Sequence, residues 1–213
     1  MQPSHHFERL LNVHALYAPR DFVAIDDTPM CLEIGAGKGK HALIFAENHP
    51  DTTLYAIERT QEKYQAFIKL ATQKSLPNLH AIHADAIAWT AFAVYPKQIQ
   101  TCFILYPNPE SKNKNQRFLN MPFFELLLSK MADDGQIVLA SNIAEYVSEA
   151  QQLLDSVWRL PYTKRYIPSS SARTHFEIKY LARGETCQEL IITKPAQYST
   201  RFDTLLPLSL ERT

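Results

Sequence analysis

Three of the protein's five glycines fall within one stretch of seven residues, Glu33-Ile34-Gly35-Ala36-Gly37-Lys38-Gly39. Glycine adopts positive φ without steric cost and lets backbone approach a bound molecule closely, so glycine concentrated this way marks a cradle. No Ser or Thr follows the Gly-Lys pairs of this loop, so it fails as a phosphate-binding P-loop. A dinucleotide fingerprint would need glycine at 40, where Lys40 stands. What remains is a glycine loop with an acid two residues ahead of it and two further acids, Glu58 and Asp85, downstream. Carboxylates accept hydrogen bonds from hydroxyl and amino groups, which suits a polar ligand lying along the loop.

Those acids need elements to hold them. Residues 30–34 form a short apolar run, fitting a buried strand that leads into the loop, and 40–48 carry a helical pattern ending at Asn48-His49-Pro50. The alternation continues with strands at 53–57, 79–83, 99–106 and 136–141, and helices at 61–74, 86–95, 116–131 and 143–158. Glu58 and Asp85 then stand at the ends of the second and third strands. Residues 176–180 and 187–193 read as two closing antiparallel strands. Repeated βα units predict a mostly parallel sheet with helices on both faces. The expected organisation is one domain over 1–213: an N-terminal helical segment (1–25), an α/β core (30–194) and a weakly patterned tail (195–213).

Two further segments could do chemistry. After the fourth strand comes Tyr106-Pro107-Asn108-Pro109-Glu110-Ser111-Lys112, where prolines fix a rigid loop at the carboxyl edge of the sheet, the place where open α/β sheets bind ligands. The amide of Asn108 both donates and accepts. The second segment, Arg173-Thr174-His175-Phe176-Glu177, places Thr174 and Glu177 at the entry of the expected late strand.

The E-x-G-x-G-x-G loop resembles that of class I S-adenosylmethionine-dependent methyltransferases, whose fold is a Rossmann-like, mostly parallel seven-stranded sheet with a C-terminal antiparallel pair. The resemblance implies that Gly35, Gly37 and Gly39 line the cofactor and that Glu33 orients water or the methionine amino group. It further implies that Glu58 holds the ribose hydroxyls, that Asp85 accepts from the adenine amine, and that Arg59, Ala86 and Tyr106 also bind the cofactor. Taken with the 106–109 loop, Ser141-Asn142 followed by Tyr146, and Thr174-His175-Phe176-Glu177, the chain is similar to the TrmB family of bacterial tRNA (guanine-N7-)-methyltransferases over about residues 30–194. That family modifies the variable-loop guanine at position 46 of tRNA and releases S-adenosylhomocysteine.

The resemblance makes Asn108, Thr174 and Glu177 the catalytic group. Lys112, Lys114, Arg117, Asn142, Tyr146 and Arg173 become the substrate-binding set, with tRNA the expected partner. The chain departs from the family where Asn108 replaces Asp, Glu110 replaces Trp, Ser111 replaces Pro and Ser141-Asn142 replaces Thr-Asp. Guanine N7 presents a lone pair and no proton, so methylation there needs placement rather than a strong base, and an amide at 108 is compatible with it. A Pro-flanked Asn108 also fits a paralogue methylating a small heteroaromatic or amine substrate, or another RNA. The lost carboxylates also fit a cofactor-fold binding module without catalysis.

Composition sets outer limits. Of 213 residues 46% are hydrophobic and 21% charged, with 22 basic residues balancing 22 acidic ones, which excludes a disordered or uniformly basic chain. Cations concentrate in 97–117 (four against one acid) and 159–183 (six against one), an expected phosphate-binding rim. Cys31, Cys102 and Cys187 sit in apolar stretches and read as core fillers in a reducing compartment. The eight histidines and three cysteines form no metal-ligand spacing, so no metal is expected. No signal peptide or membrane span is read from the sequence, and the expected location is the cytoplasm, as a monomer or homodimer.

Overall fold

The computed structural model describes residues 8–210 and contains a seven-stranded sheet. Strands β1 (Met30–Ile34), β2 (Leu54–Glu58), β3 (Leu79–His83), β4 (Ile99–Leu105) and β5 (Met131–Ser141) are parallel. They alternate with helices α1 (Lys40–Asn48), α2 (Gln61–Lys74), α3 (Ala86–Ala93) and α4 (Phe123–Lys130). After β5 come α5 (Ala144–Leu153), β6 (Tyr162–Tyr166), α6 (His175–Ala182) and β7 (Gln188–Thr193). The spatial order is β3-β2-β1-β4-β5-β7-β6, with β7 antiparallel to both β5 and β6.

The period-2 geometry of a strand divides the core in two. Leu32, Ile34, Cys102, Ile104, Ile137 and Leu139 pack on one face, with residues of α3, α4 and α5. Cys31, Phe103, Leu105, Val138 and Ala140 pack on the other, with α1 and Phe67 of α2. Burial on both faces is why these strands are apolar without alternation. Glu33 shares the face of Cys31, so its carboxylate enters an otherwise apolar layer and is buried there.

Four expectations change. Residues 176–180 are helical, in α6, and the strand paired with β7 is Tyr162–Tyr166. The Thr174 hydroxyl accepts the Glu177 N–H at 2.9 Å, the Thr-x-x-Glu start of a helix, and this outweighs the alternating Phe176, Ile178 and Tyr180. The region 116–131 holds two short 3-10 turns, and α4 begins only after Pro122. Helix α5 ends at Leu153 and runs into a π-helical turn, Leu154–Trp158. Within 8–25 the expected helix is one 3-10 turn, Val13–Ala15; residues 1–7 lie outside the described residues.

The tail straps the α3–α4 layer. Tyr198 donates to the Trp158 carbonyl (2.8 Å), Arg201 grips both oxygens of buried Glu125, and the Leu208 N–H reaches the Ala91 carbonyl (3.0 Å). Tyr198 and Phe202 join the core face opposite Glu33. No described helix is long and apolar enough to cross a membrane.

Candidate active site

The glycine loop leaves β1 as expected, but its three glycines do different work. Gly35 (φ 79°) and Gly37 (φ 59°) are left-handed, and a side chain on either would project into open space. Gly39 (φ 80°) caps α1, and a Cβ there would lie 2.0 Å from the Phe67 ring. The third glycine therefore serves packing of the loop on α2, and it does not line the cavity onto which Gly35 and Gly37 open. The Gly35 and Ala36 N–H groups both donate to the Ile57 carbonyl at 2.9 Å, anchoring the loop on β2.

Glu33, Gly35 and Gly37 line a cavity of about 250 Å³, together with Leu105 from β4 and Thr174 and Phe176 from the start of α6. Glu33 Oε2 accepts a hydrogen bond from Nδ1 of His41 at 2.9 Å, and the imidazole sits edge-on to Phe103 (4.7 Å, 61°). His41 lines the same cavity and was missed in the sequence. Its place in the first turn of a helix that follows a glycine loop was the available signal.

Glu58 ends β2 but turns inward. Its Oε2 accepts from the Gly37 N–H (2.8 Å) and its Oε1 from the Thr60 N–H (2.7 Å), so the carboxylate stitches the loop to the sheet. Asp85 is exposed and caps α3, with Oδ1 accepting from Ile87 (2.9 Å) and Ala88 (3.3 Å). Asp85 and Arg59 line a second, larger cavity of about 1140 Å³, bounded by residues 17–26 and the β3 edge. The acids thus stand in series along the sheet edge: Glu33 in one cavity, Asp85 in the next, Glu58 buried between them. Ala86, the first residue of α3, lines neither of these cavities.

The acceptor side departs further from expectation. Glu177 is completely buried, and five donors saturate its carboxylate. Oε1 accepts from the Ser171 hydroxyl, the Arg173 N–H (3.1 Å) and Arg173 Nε (3.2 Å). Oε2 accepts from the Tyr106 hydroxyl (2.8 Å) and Arg173 Nη2 (2.9 Å). Burial pushes this carboxyl up, but hydrogen bonds from Arg173, Ser171 and Tyr106, with the Arg173 charge, outweigh it and hold the pKa below the ordinary glutamate value. Arg173 also donates to buried Glu189 on β7 (2.8 Å). Glu177 and Arg173 therefore organise each other instead of facing a ligand, and Tyr106 (φ 53°), just beyond β4, turns its hydroxyl to them rather than to the cavity. Thr174, half-buried, caps α6 and still borders the cavity.

Asn108 is exposed, with one long hydrogen bond from the Glu110 N–H (3.4 Å), and borders neither cavity. Within the expected basic rim Arg117 is buried and Arg173 half-buried, while Lys97, Lys112, Lys114, Arg159, Lys164, Arg165, Lys179 and Arg183 stay exposed. Arg117 is 4% exposed: it donates to the Pro109 carbonyl (2.7 Å), pairs with Glu149 and lies over the ring of buried Tyr146 (5.3 Å). Lys114 pairs with Glu145 (2.6 Å), and Asn142 donates to Glu185 (2.6 Å). Arg117 and Tyr146 are removed from the substrate-facing set by this burial, whereas Lys112 stays exposed. Three cations not singled out before, Lys38, Lys40 and Lys63, line the glycine-loop cavity. Among the described residues no cluster of His, Cys, Asp or Glu could hold a metal ion.

Comparison with known proteins agrees with this architecture. Residues 27–190 match the family described as "Putative methyltransferase". A tRNA (guanine-N(7)-)-methyltransferase of Thiobacillus denitrificans is 27% identical over 171 residues, covering 78% of this chain and 75% of that protein. One from Nitrosomonas eutropha is 26% identical over 202 residues, 90% of each. Among solved structures, precorrin-6y C5,15-methyltransferase from Geobacter metallireducens superposes with a TM-score of 0.56 at 13% identity, covering 80% of this chain and 82% of that one. A SAM-dependent methyltransferase from Aquifex aeolicus gives 0.55 at 12% identity, over 82% and 86%. With the glycine loop, the strand-end acids, β6 and the start of β7 inside the matched region, the chain belongs to this methyltransferase family, as a divergent member.

Proposed function

We propose that this protein is an S-adenosylmethionine-dependent methyltransferase acting on N7 of guanine in tRNA, at the variable-loop guanine 46. The observation that carries the reading is the glycine-loop cavity: two left-handed glycines open onto it and a buried carboxylate forms its wall, inside a core similar to that of relatives named for that activity. The residues fit the cofactor. Gly35 and Gly37 leave room where any side chain would intrude, and Glu33, fixed by His41, is placed to take the methionine ammonium. Asp85 and Arg59 border the larger cavity, where the adenosine portion would lie. Glu58 acts one step back, holding the loop in shape through the Gly37 N–H.

When bound, S-adenosylmethionine supplies an electrophilic methyl group on a sulfonium and leaves as S-adenosylhomocysteine. The chain has to bring guanine N7 into line with that methyl and exclude water; no proton is removed from N7, so no general base is required. Thr174 retains a hydroxyl hydrogen to donate toward the guanine edge from the cavity wall. Asn108, on the Pro-fixed loop, supports recognition from outside the cavity, and Lys112 offers a surface contact for the RNA backbone.

Incubation with unmodified tRNA and labelled cofactor tests the proposal. Nuclease digests are expected to contain 7-methylguanosine in amounts matching the S-adenosylhomocysteine released, with activity falling steeply as salt rises. A protein that binds the cofactor yet methylates no tRNA would refute the substrate assignment.

A further inference from the structure

Phe176 is apolar and 43% exposed, yet it lines the glycine-loop cavity instead of joining the core. Tyr180 lies nearly parallel to one face of its ring (18°, 6.0 Å), and Tyr180 in turn meets buried Tyr106 (5.7 Å). The ring is therefore backed by a stack leading into the protein. Lys38, Lys40 and Lys63 border the same cavity, and none is ion-paired to a described residue, although most cations around α5 and β7 are neutralised by carboxylates. A backed aromatic ring beside unneutralised cations is the arrangement that holds an unstacked base and its phosphates.

We propose that Phe176 is the stacking wall for the acceptor purine, extruded from its own stack, while Lys38, Lys40 and Lys63 hold the phosphates flanking it. The inference deepens the tRNA reading and rests on it. A base reaches a cavity walled by β1, β4 and α6 only after leaving its neighbours, and the energy of unstacking is offset by the new ring contact. The lysines act on the backbone and so confer affinity without sequence preference.

The test uses full-length protein and a tRNA carrying 2-aminopurine in place of the methylated guanine, whose fluorescence drops on stacking. Wild-type protein is expected to raise the emission as the base leaves the tRNA stack and then quench it on the Phe176 ring. In Phe176→Ala the rise is expected to persist, with kcat/KM for unmodified tRNA falling on the order of 10- to 100-fold. Phe176→Tyr restores quenching and rate, and the loss of rate in Phe176→Ala is expected to exceed any loss of S-adenosylmethionine affinity read by calorimetry. Lys63→Gln and Lys40→Gln each lower the salt slope of tRNA binding by about 0.7–0.9. Wild-type quenching in Phe176→Ala overturns the stacking role. Lysine variants that change cofactor affinity while leaving the salt slope intact overturn the phosphate role. If wild-type protein methylates no tRNA, the underlying function fails instead, which is a separate result.

Discussion

Glu33 and Glu177 are both buried carboxylates within layers that sequence alone would leave apolar or alternating. Glu33 has one partner, His41, and otherwise borders a cavity. Glu177 has five hydrogen bonds and no cavity. Unused acceptor capacity beside empty space is what a ligand's ammonium or hydroxyl can exploit, whereas a saturated carboxylate has nothing left to give and acts as a fastening. The contrast separates a binding residue from a structural one where residue type does not.

The strongest way to break the contrast is to remove the fastening. Glu177→Ala removes the acceptor of five hydrogen bonds, leaving Arg173 with Glu189 alone, and is expected to cost about 3–5 kcal/mol in denaturant unfolding. Because the folded-state pKa of Glu177 lies below its unfolded value, this stability is present above the ordinary glutamate range and lost as pH falls through the folded pKa. The wild-type advantage over Glu177→Ala should therefore shrink in acid. An unchanged midpoint would place Glu177 among the ligand-facing groups after all.

Lys130 sharpens the contrast from the cationic side, being fully buried with the Leu205 carbonyl as its hydrogen-bond partner and bordering neither of the two cavities. Burial pushes its ammonium from 10.5 down to about 8. Between those values the unfolded chain holds a proton the folded chain lacks, so stability rises with pH across that window, by up to about 3 kcal/mol. Urea titrations from pH 7 to 10.5 should show the slope in wild type and its loss in Lys130→Met. Equal slopes would mean that Lys130 keeps its proton in the fold.

Smallest in energy is Glu33→Gln, expected to weaken S-adenosylmethionine binding about tenfold, roughly 1.4 kcal/mol, with a melting temperature close to wild type. Calorimetry and thermal melts read the two quantities separately. A large loss of stability with intact binding would reverse the roles assigned to the two glutamates.

The parallel half of the molecule was legible because β1, β2 and β4 are short apolar runs largely buried on both faces, and each ends where a loop or an acid begins. Gly35, Gly37 and Glu33 were legible for the same reason, since a loop after such a strand has little choice of place. The antiparallel half was not. β6, Tyr-Thr-Lys-Arg-Tyr, is an exposed edge strand with no apolar pattern, while the alternation that looked like a strand, Phe176 to Tyr180, belongs to a helix whose Thr174 cap overrides it. Arg117 reads as surface charge because Glu149, which neutralises it, lies 32 residues away. His41 and the three cavity lysines depend on which side of α1 and α2 faces the loop, and that is fixed only by packing such as Gly39 against Phe67.

The strand order β5-β7-β6 carries a consequence for assembly. β6 pairs with β7 alone, so it has no place in the sheet until β7, later in the chain, has inserted beside β5. Glu189, which joins Arg165 of β6 to Arg173, arrives on that same strand. The Glu33–His41–Glu58 side can therefore form from β1, β2 and their connection, while the Arg173–Glu177 side locks only at the final insertion. A refolding molecule would recover the glycine-loop side of the cavity before the α6 wall that completes it.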